Sequence, residues 1–188
     1  MSSYTHKTRI IFLDLPKDIQ EQVDDIRKLF NPDAVRRGIA HITFKQDEDY
    51  LVRNEKIIEV IEAQRISPFF LKMDGIKIRH DNGHFVIFVS FEKHSDLYNA
   101  IAKLSKNLES FIDNKALDAL YSTRWEQSKD FFPHITIVSG KDENNKGENL
   151  YNEIASTGFD PREIIRCNSL RLCEWDTDHW KMIHHIDL

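Results

Sequence analysis

Two lobes of mixed strands and helices are predicted by three observations. His-Ile-Thr followed by an apolar residue occurs twice, at "HITF" (His41 to Phe44) and at "HITI" (His134 to Ile137). Each copy is preceded by the same order of segments, a strongly apolar strand and then an amphipathic helix. The interval between the copies is far longer than a solenoid repeat and occurs only once, so two related lobes facing one another are expected rather than an array.

The elements follow in order. "TRIIFLDL" (Thr8 to Leu15) is a nearly continuous apolar run, as in a strand covered on both faces. Pro16 opens a helix with Ile19, Val23, Ile26 and Phe30 on one side. After "NPD" and an "RRG" turn comes "IAHITFK", short, β-branched and alternating, then a polar break and a helix carrying Ile57, Val60 and Ile61. "GIKIRHDNGHFVIFVSF" reads as two strands joined at Asn82-Gly83, a dipeptide that tolerates the positive φ of a tight hairpin. Leu97, Ile101, Leu104, Leu108 and Phe111 form a helical stripe with Ser95 or Asp96 as the cap, and a polar stretch leads to "FFPHITIVSG". A short helix near Leu150 to Ile154 precedes a closing hairpin made of "CNSLRLCEW" and "HWKMIHHIDL", which turns at Asp176-Thr177-Asp178.

Composition bounds the function. A chain of 188 residues, 40% hydrophobic and 30% charged with six Gly and five Pro, fits one folded domain over 1–188. A net charge of -5 argues against wrapping long duplex DNA or RNA, which requires many phosphates to be neutralised, but leaves room for a small nucleotide or an RNA end. The N-terminus has no apolar run behind a basic start and no stretch is long enough to span a bilayer, so a cytoplasmic protein with no membrane partner, acting as a monomer, is expected. Cys167 and Cys173 fall in what reads as one strand, too far apart for a disulfide, and are expected to be free thiols.

On a strand, residues i and i+2 share a face, so His41 projects with Thr43, and His134 with Thr136, while the intervening residues face the core. Each pair offers an imidazole that moves protons near neutral pH and a hydroxyl that donates to an anionic oxygen. Two such pairs across a cleft suit phosphodiester chemistry without a metal: one ring takes a proton from the attacking oxygen, the other returns one to the departing oxygen, and the hydroxyls hold the non-bridging oxygens. Lys45 shares the parity of His41 and Thr43, whereas Val138 holds the matching place in the second copy, so Lys45 is expected to orient the substrate.

These two tetrapeptides, half a chain apart, resemble the motifs of the two-histidine (2H) phosphoesterase superfamily, and the likeness extends through the order of elements to nearly the whole chain. The resemblance implies a bilobal α+β fold with a pseudo-twofold axis, two antiparallel-rich sheets around a central groove flanked by helices. It implies metal-independent action, with no cofactor, on nucleotide or RNA-end phosphodiesters: opening 2′,3′-cyclic phosphates, or cleaving or joining 2′-5′ linkages. His41 and His134 become the acid/base pair and Thr43 and Thr136 the phosphate-binding hydroxyls, with the assignment of acid and base left open. Two rival readings are a phosphodiesterase of 2′-5′ linked or cyclic signalling oligonucleotides, and a non-catalytic RNA- or nucleotide-binding module.

Other residues are candidate substrate contacts. Arg36 and Arg37 precede the first motif and are placed to reach a phosphate. Phe132 has the parity of His134 and is placed to stack a base, and Tyr121 and Trp125 are further base platforms. His184 and His185 are adjacent on a strand, point to opposite faces, and cannot jointly hold a metal; His80 and His84 flank the Asn-Gly turn and are expected to be exposed.

Overall fold

The structure is a computed structural model that describes residues 7–112 and 132–188. The order is β1 (Lys7–Leu13), α1 (Lys17–Phe30), α2 (Pro32–Arg37), β2 (Ile42–Tyr50), α3 (Asn54–Ala63), β3 (Phe69–Asp81), β4 (His84–Phe91), α4 (Ser95–Leu108), β5 (His134–Lys141), α5 (Lys146–Ser156), β6 (Ile164–Cys167), β7 (Ser169–Asp176) and β8 (His179–Asp187). The strands form two four-stranded sheets, β2-β1-β7-β8 and β5-β4-β3-β6, in which every pairing is antiparallel. The expected two-lobed α+β architecture is therefore present, one sheet to each lobe.

The apolar runs explain the layers. In β1, Ile11 and Leu13 enter the main core beneath the helices, while Ile10 and Phe12 on the other face join Cys173 and Trp180 in a second, smaller cluster. The doubly apolar β1 is thus covered on both sides, as its sequence predicts. Asn82 (φ 48) and Gly83 (φ 75) both take the left-handed conformation that a two-residue hairpin turn requires, and join β3 to β4.

Three local expectations are corrected. The "RRG" segment closes a short helix, α2, rather than forming a simple turn. The cap of α4 is His94, whose Nδ1 accepts the Leu97 N–H at 3.3 Å, and not Ser95 or Asp96. Cys167 and Cys173 do not share a strand: the chain leaves β6 at Cys167, changes sheet at Asn168, and enters β7. Both thiols are buried and free, and burial pushes each up to about 12. Among the described residues no helix is long and apolar enough to cross a membrane.

The two motif strands hold equivalent places, each at an end of its sheet and each beside the lobe's central apolar strand. Phe12 lies opposite Thr43 and Ile11 opposite Lys45, so Phe44 is an added residue; Phe88 lies opposite Thr136 and Ile87 opposite Val138, so Ile137 is an added residue. Each copy of His-Ile-Thr is followed by a β-bulge at the same step, a register-level signature of the repeat. The helices brace the copies reciprocally: α1, which leads into the first motif, packs on β5, and α4, which follows β4 toward the second, packs on β2. Asn31 at the end of α1 donates from Nδ2 to the Ile137 carbonyl at 3.3 Å, tying one lobe to the other.

A buried ion pair sets the approach to the first motif. On α1, Arg27 Nη1 donates to Asp24 Oδ1 at 2.6 Å, and both residues are buried. Arg27 Nη2 donates to the Ala34 carbonyl at 2.8 Å, and the same Asp24 oxygen accepts the Ala40 N–H at 3.0 Å. Between them the two side chains grip both ends of the segment that delivers His41. Asp24→Ala strands a buried guanidinium and a backbone N–H; urea denaturation is expected to show a loss of about 3–5 kcal/mol, and Asp24→Asn, which keeps an acceptor oxygen, a smaller one. Equal stability of wild type and Asp24→Ala would contradict this account of the pair.

Candidate functional site

His41 directly precedes β2 and His134 opens β5, and both rings, with Thr43 and Thr136, are half-buried on the face of the sheets turned away from the main core. Neither threonine hydroxyl is engaged in a hydrogen bond among the described residues. The intervening Ile42 and Ile135 are fully buried, so the alternation expected from the sequence holds through the threonine of each copy.

The two imidazoles are held in the same way. His41 Nδ1 lies 2.7 Å from the carbonyl oxygen of Ile39, and His134 Nδ1 lies 3.0 Å from that of Phe132, in each case two residues back. A carbonyl only accepts, so Nδ1 carries the hydrogen and Nε2 is left as the basic nitrogen on both rings. His41 stacks on Phe12 with centroids 3.5 Å apart, and His134 stands edge-on to Phe88 at 5.3 Å. Each ring is therefore fixed by a carbonyl behind it and by the phenylalanine opposite its threonine.

Electrostatics distinguish the two. Burial, with the charges of Arg27, His134 and Arg171 adding to it, pushes His41 down to about 3. Burial, helped by Arg79, also lowers His134. Both rings are therefore neutral near pH 7, and protonation of His134 would lower His41 further.

The sequence did not single out the two arginines. Arg171 on β7 lies opposite Phe12, so it shares the open face with Thr43; Asp14 holds it, with Arg171 Nη2 3.1 Å from Oδ1, while Ser169 Oγ donates to Asp14 Oδ2 at 3.0 Å. Arg79 on β3 lies opposite Val86, and its guanidinium carbon is 5.5 Å from the centre of the Phe132 ring. Alternation in "SLRLCEW" and "GIKIRHD" carries the signal for both, because Leu170 and Leu172 flank Arg171 on the core side and Ile76 and Ile78, which precede Arg79 at the opposite parity, also pack on the core.

The remaining predicted contacts divide. Phe132 sits where parity placed it, against His134 at 4.9 Å and Phe88 at 5.0 Å. It lines a pocket of about 270 Å³ with Arg79, Asp81, His84, Val86 and His134. Lys45 does not face the groove: the bulge at Phe44 turns it to the side of Ile11, and it is 2% exposed. Arg36 does not approach the histidines; it pairs with Asp178 on the β7–β8 turn and with Asp33. Arg37 is exposed at the end of α2 with no polar partner among the described residues. Tyr121 and Trp125 lie outside the described residues.

His184 approaches Glu62 while His185 approaches Asp14 and Asp187, so the adjacent histidines do turn to opposite faces, and His80 and His84 are exposed. Among the described residues no three His, Cys, Asp or Glu side chains converge as metal ligands would. A larger cavity of about 400 Å³, lined by Gln64, Phe69, His94 and Lys103 among others, contains none of the motif residues.

The family model of the 2′-5′ RNA ligase superfamily matches residues 15–179, a span that includes both motifs. A Staphylococcus aureus (strain Newman) protein named "Putative phosphoesterase" is 27% identical over 173 residues, covering 92% of this chain and 94% of its own. In fold, the chain is similar to Escherichia coli LigT, solved in complex with phosphate and in complex with 3′-AMP, each at TM-score 0.61 and 16% identity over 98% of this chain and 99% of the other. It is similar also to Kluyveromyces marxianus Usb1, at TM-score 0.51 and 12% identity over 98% of this chain and 99% of the other. With the family model matching most of its length, this chain belongs to the 2′-5′ RNA ligase superfamily, the two-histidine phosphoesterases.

Proposed function

We propose that this chain is a metal-independent phosphodiesterase acting on nucleotide or RNA-end phosphodiesters, opening 2′,3′-cyclic phosphates or cleaving or joining 2′-5′ linkages, as one bilobal domain. The observation that carries the reading is the double construction: two rings, each tied through Nδ1 to the carbonyl two residues back, each with an unengaged threonine hydroxyl beside it. Solved structures of similar fold hold phosphate and 3′-AMP, which supports a nucleotide phosphate as the occupant of the groove.

In this reading His41 is the base in the hydrolytic direction. Two fixed cations, Arg27 and Arg171, add to burial at His41 and one, Arg79, at His134, so His41 is the ring better kept neutral. Its Nε2 takes a proton from water as the water oxygen bonds to phosphorus. His134 Nε2–H gives a proton to the ribose oxygen as the phosphorus–oxygen bond breaks. Negative charge gathers on the two non-bridging oxygens, where the Thr43 and Thr136 hydroxyls donate. Arg171 and Arg79 supply positive field to the two sides, Arg37 stands as a cation beside the first motif, and Phe132 stacks a base. A binding-only role fits less well, because holding an anion needs only cations such as Arg171 and Arg79 and not two imidazoles tethered in the same way.

His41→Ala and His134→Ala are each expected to lower kcat about 100- to 10,000-fold with EDTA present, and Thr43→Ala and Thr136→Ala about 10- to 1000-fold. Full turnover of a nucleoside 2′,3′-cyclic phosphate or a 2′-5′ dinucleotide by either histidine variant would remove the acid/base assignment.

The pH dependence follows from the directions of the shifts. An acid works only while protonated, and His134 in the free protein titrates below its ordinary value of about 6.5, so kcat/KM falls as pH rises through that lowered value. The base must be neutral, and His41 at about 3 is neutral throughout the accessible range. The profile of kcat/KM is therefore expected to be highest on the acid side of 6.5. A bound phosphate anion favours the imidazolium, so kcat holds to higher pH than kcat/KM does. A kcat/KM that climbs between pH 6 and 8 would contradict the scheme.

A further inference from the structure

The β7–β8 hairpin carries an aromatic surface that the acid/base scheme does not use. Trp175 and Trp180 lie opposite one another across the hairpin, with ring centroids 5.0 Å apart in an edge arrangement. Trp180 also meets Phe12 edge-on at 6.0 Å, and Phe12 is the ring on which His41 stacks. A continuous run of rings thus leads outward from His41 through Phe12 and Trp180 to Trp175. Trp175 is 39% exposed, and Met182, opposite Cys173 on the same face, is 53% exposed. Paired indole rings that are partly open to solvent offer flat faces on which a base can stack.

The shelf is tied to the first motif. Gly38, three residues before His41, sits against Trp180, where an added Cβ would come within 3.9 Å of that side chain. Arg36 pairs with Asp178 on the turn between β7 and β8. The segment that delivers His41 therefore also braces the hairpin that presents the two tryptophans. On the opposite side of the groove, Phe132, Arg79 and His134 line the pocket of about 270 Å³. The groove is asymmetric: a half-open aromatic and cationic pocket lies beside His134, and an aromatic shelf lies beyond His41.

Resting on the reading of this groove as a phosphodiester site, we propose that its substrate carries a base on each side of the scissile phosphate, one held in the Phe132 pocket and the other stacked on Trp175 and Trp180. The substrate class is thus an oligonucleotide of two or more residues, or an RNA end, in preference to a lone nucleoside cyclic phosphate. Stacking on an open shelf is tolerant of base identity because every base has a π-face, whereas the pocket, with Asp81 and His84 at its rim, offers polar groups to a base edge. Selectivity is expected for the base on the His134 side and little for the base on the His41 side.

Calorimetric binding to the full chain separates this proposal from the acid/base scheme. In the His41→Ala/His134→Ala background, where turnover does not interfere, a 2′-5′ linked diadenosine dinucleotide is expected to bind more tightly than adenosine 3′-monophosphate. Adding Trp175→Ala and Trp180→Leu is expected to weaken the dinucleotide about 5- to 100-fold and erase that advantage. Trp175→Ala alone, at the more exposed position, is expected to lose about 5-fold or more, and serves should the Trp180 variant not fold, as judged by circular dichroism. A dinucleotide advantage that survives in Trp175→Ala, or that is absent before the tryptophans are changed, overturns the proposal. A dinucleotide that binds as expected but is not cut by the wild-type protein counts against the acid/base scheme and leaves the two-base site standing.

Discussion

The site depends on the reciprocal packing of each lobe's helix against the other lobe's motif strand. Strands β2 and β5 stand at the ends of their sheets, where a strand is paired on one side only and most free to shift. Here α1 covers β5 and α4 covers β2, and Ile42, Phe44, Ile135 and Ile137 are fully buried. Because a slip of one residue would send these side chains to the open face and the histidines into the core, burial fixes the register of both strands together. The bulge after each threonine then returns the chain to the core side, so that only His and Thr of each copy remain in the groove.

That frame gives two chemically alike groups unlike surroundings. The rings share their carbonyl tether and tautomer, but the first lies amid Arg27 and Arg171 and against Phe12, while the second lies beside Arg79 and Phe132. Environment rather than residue type is what separates an acid from a base when both are histidines. The same asymmetry extends to the walls, where Asp14 steadies Arg171 on one side and a pocket of about 270 Å³ opens on the other. A pseudo-twofold scaffold thus places its two histidines in unlike settings.

Much of this was legible in the sequence because it is written locally. The repeated tetrapeptide, the alternation within each strand and the Asn82-Gly83 turn concern residues a few positions apart, and the order of elements followed from them. The failures are non-local. Lys45 was assigned by parity, and parity breaks at a bulge set by pairing with β1, which a single strand does not announce. Asp24 and Arg27 look like ordinary polar positions on an amphipathic helix, and only the chain folding back at Ala34 and Ala40 makes them a buried latch. Cys167 and Cys173 were read as one strand because nothing in "CNS" marks the change of sheet at Asn168. Trp180 reaches Phe12, on which His41 stacks, only because β7 pairs with β1, a partner more than 150 residues earlier in the chain.

The account rests on both imidazoles presenting Nε2 to the groove from the neutral, Nδ1-protonated form. Nitrogen NMR of the protein with ¹⁵N-labelled histidine, assigned with single His41 and His134 variants, reads this directly at pH 7. Both rings are predicted to show a protonated Nδ1 and a bare Nε2, and His134, the acid of the scheme, to move toward the imidazolium when 3′-AMP is added while His41 stays neutral. Either ring found with its hydrogen on Nε2 in the free protein, or His134 left unchanged by saturating nucleotide, would contradict the two-histidine mechanism.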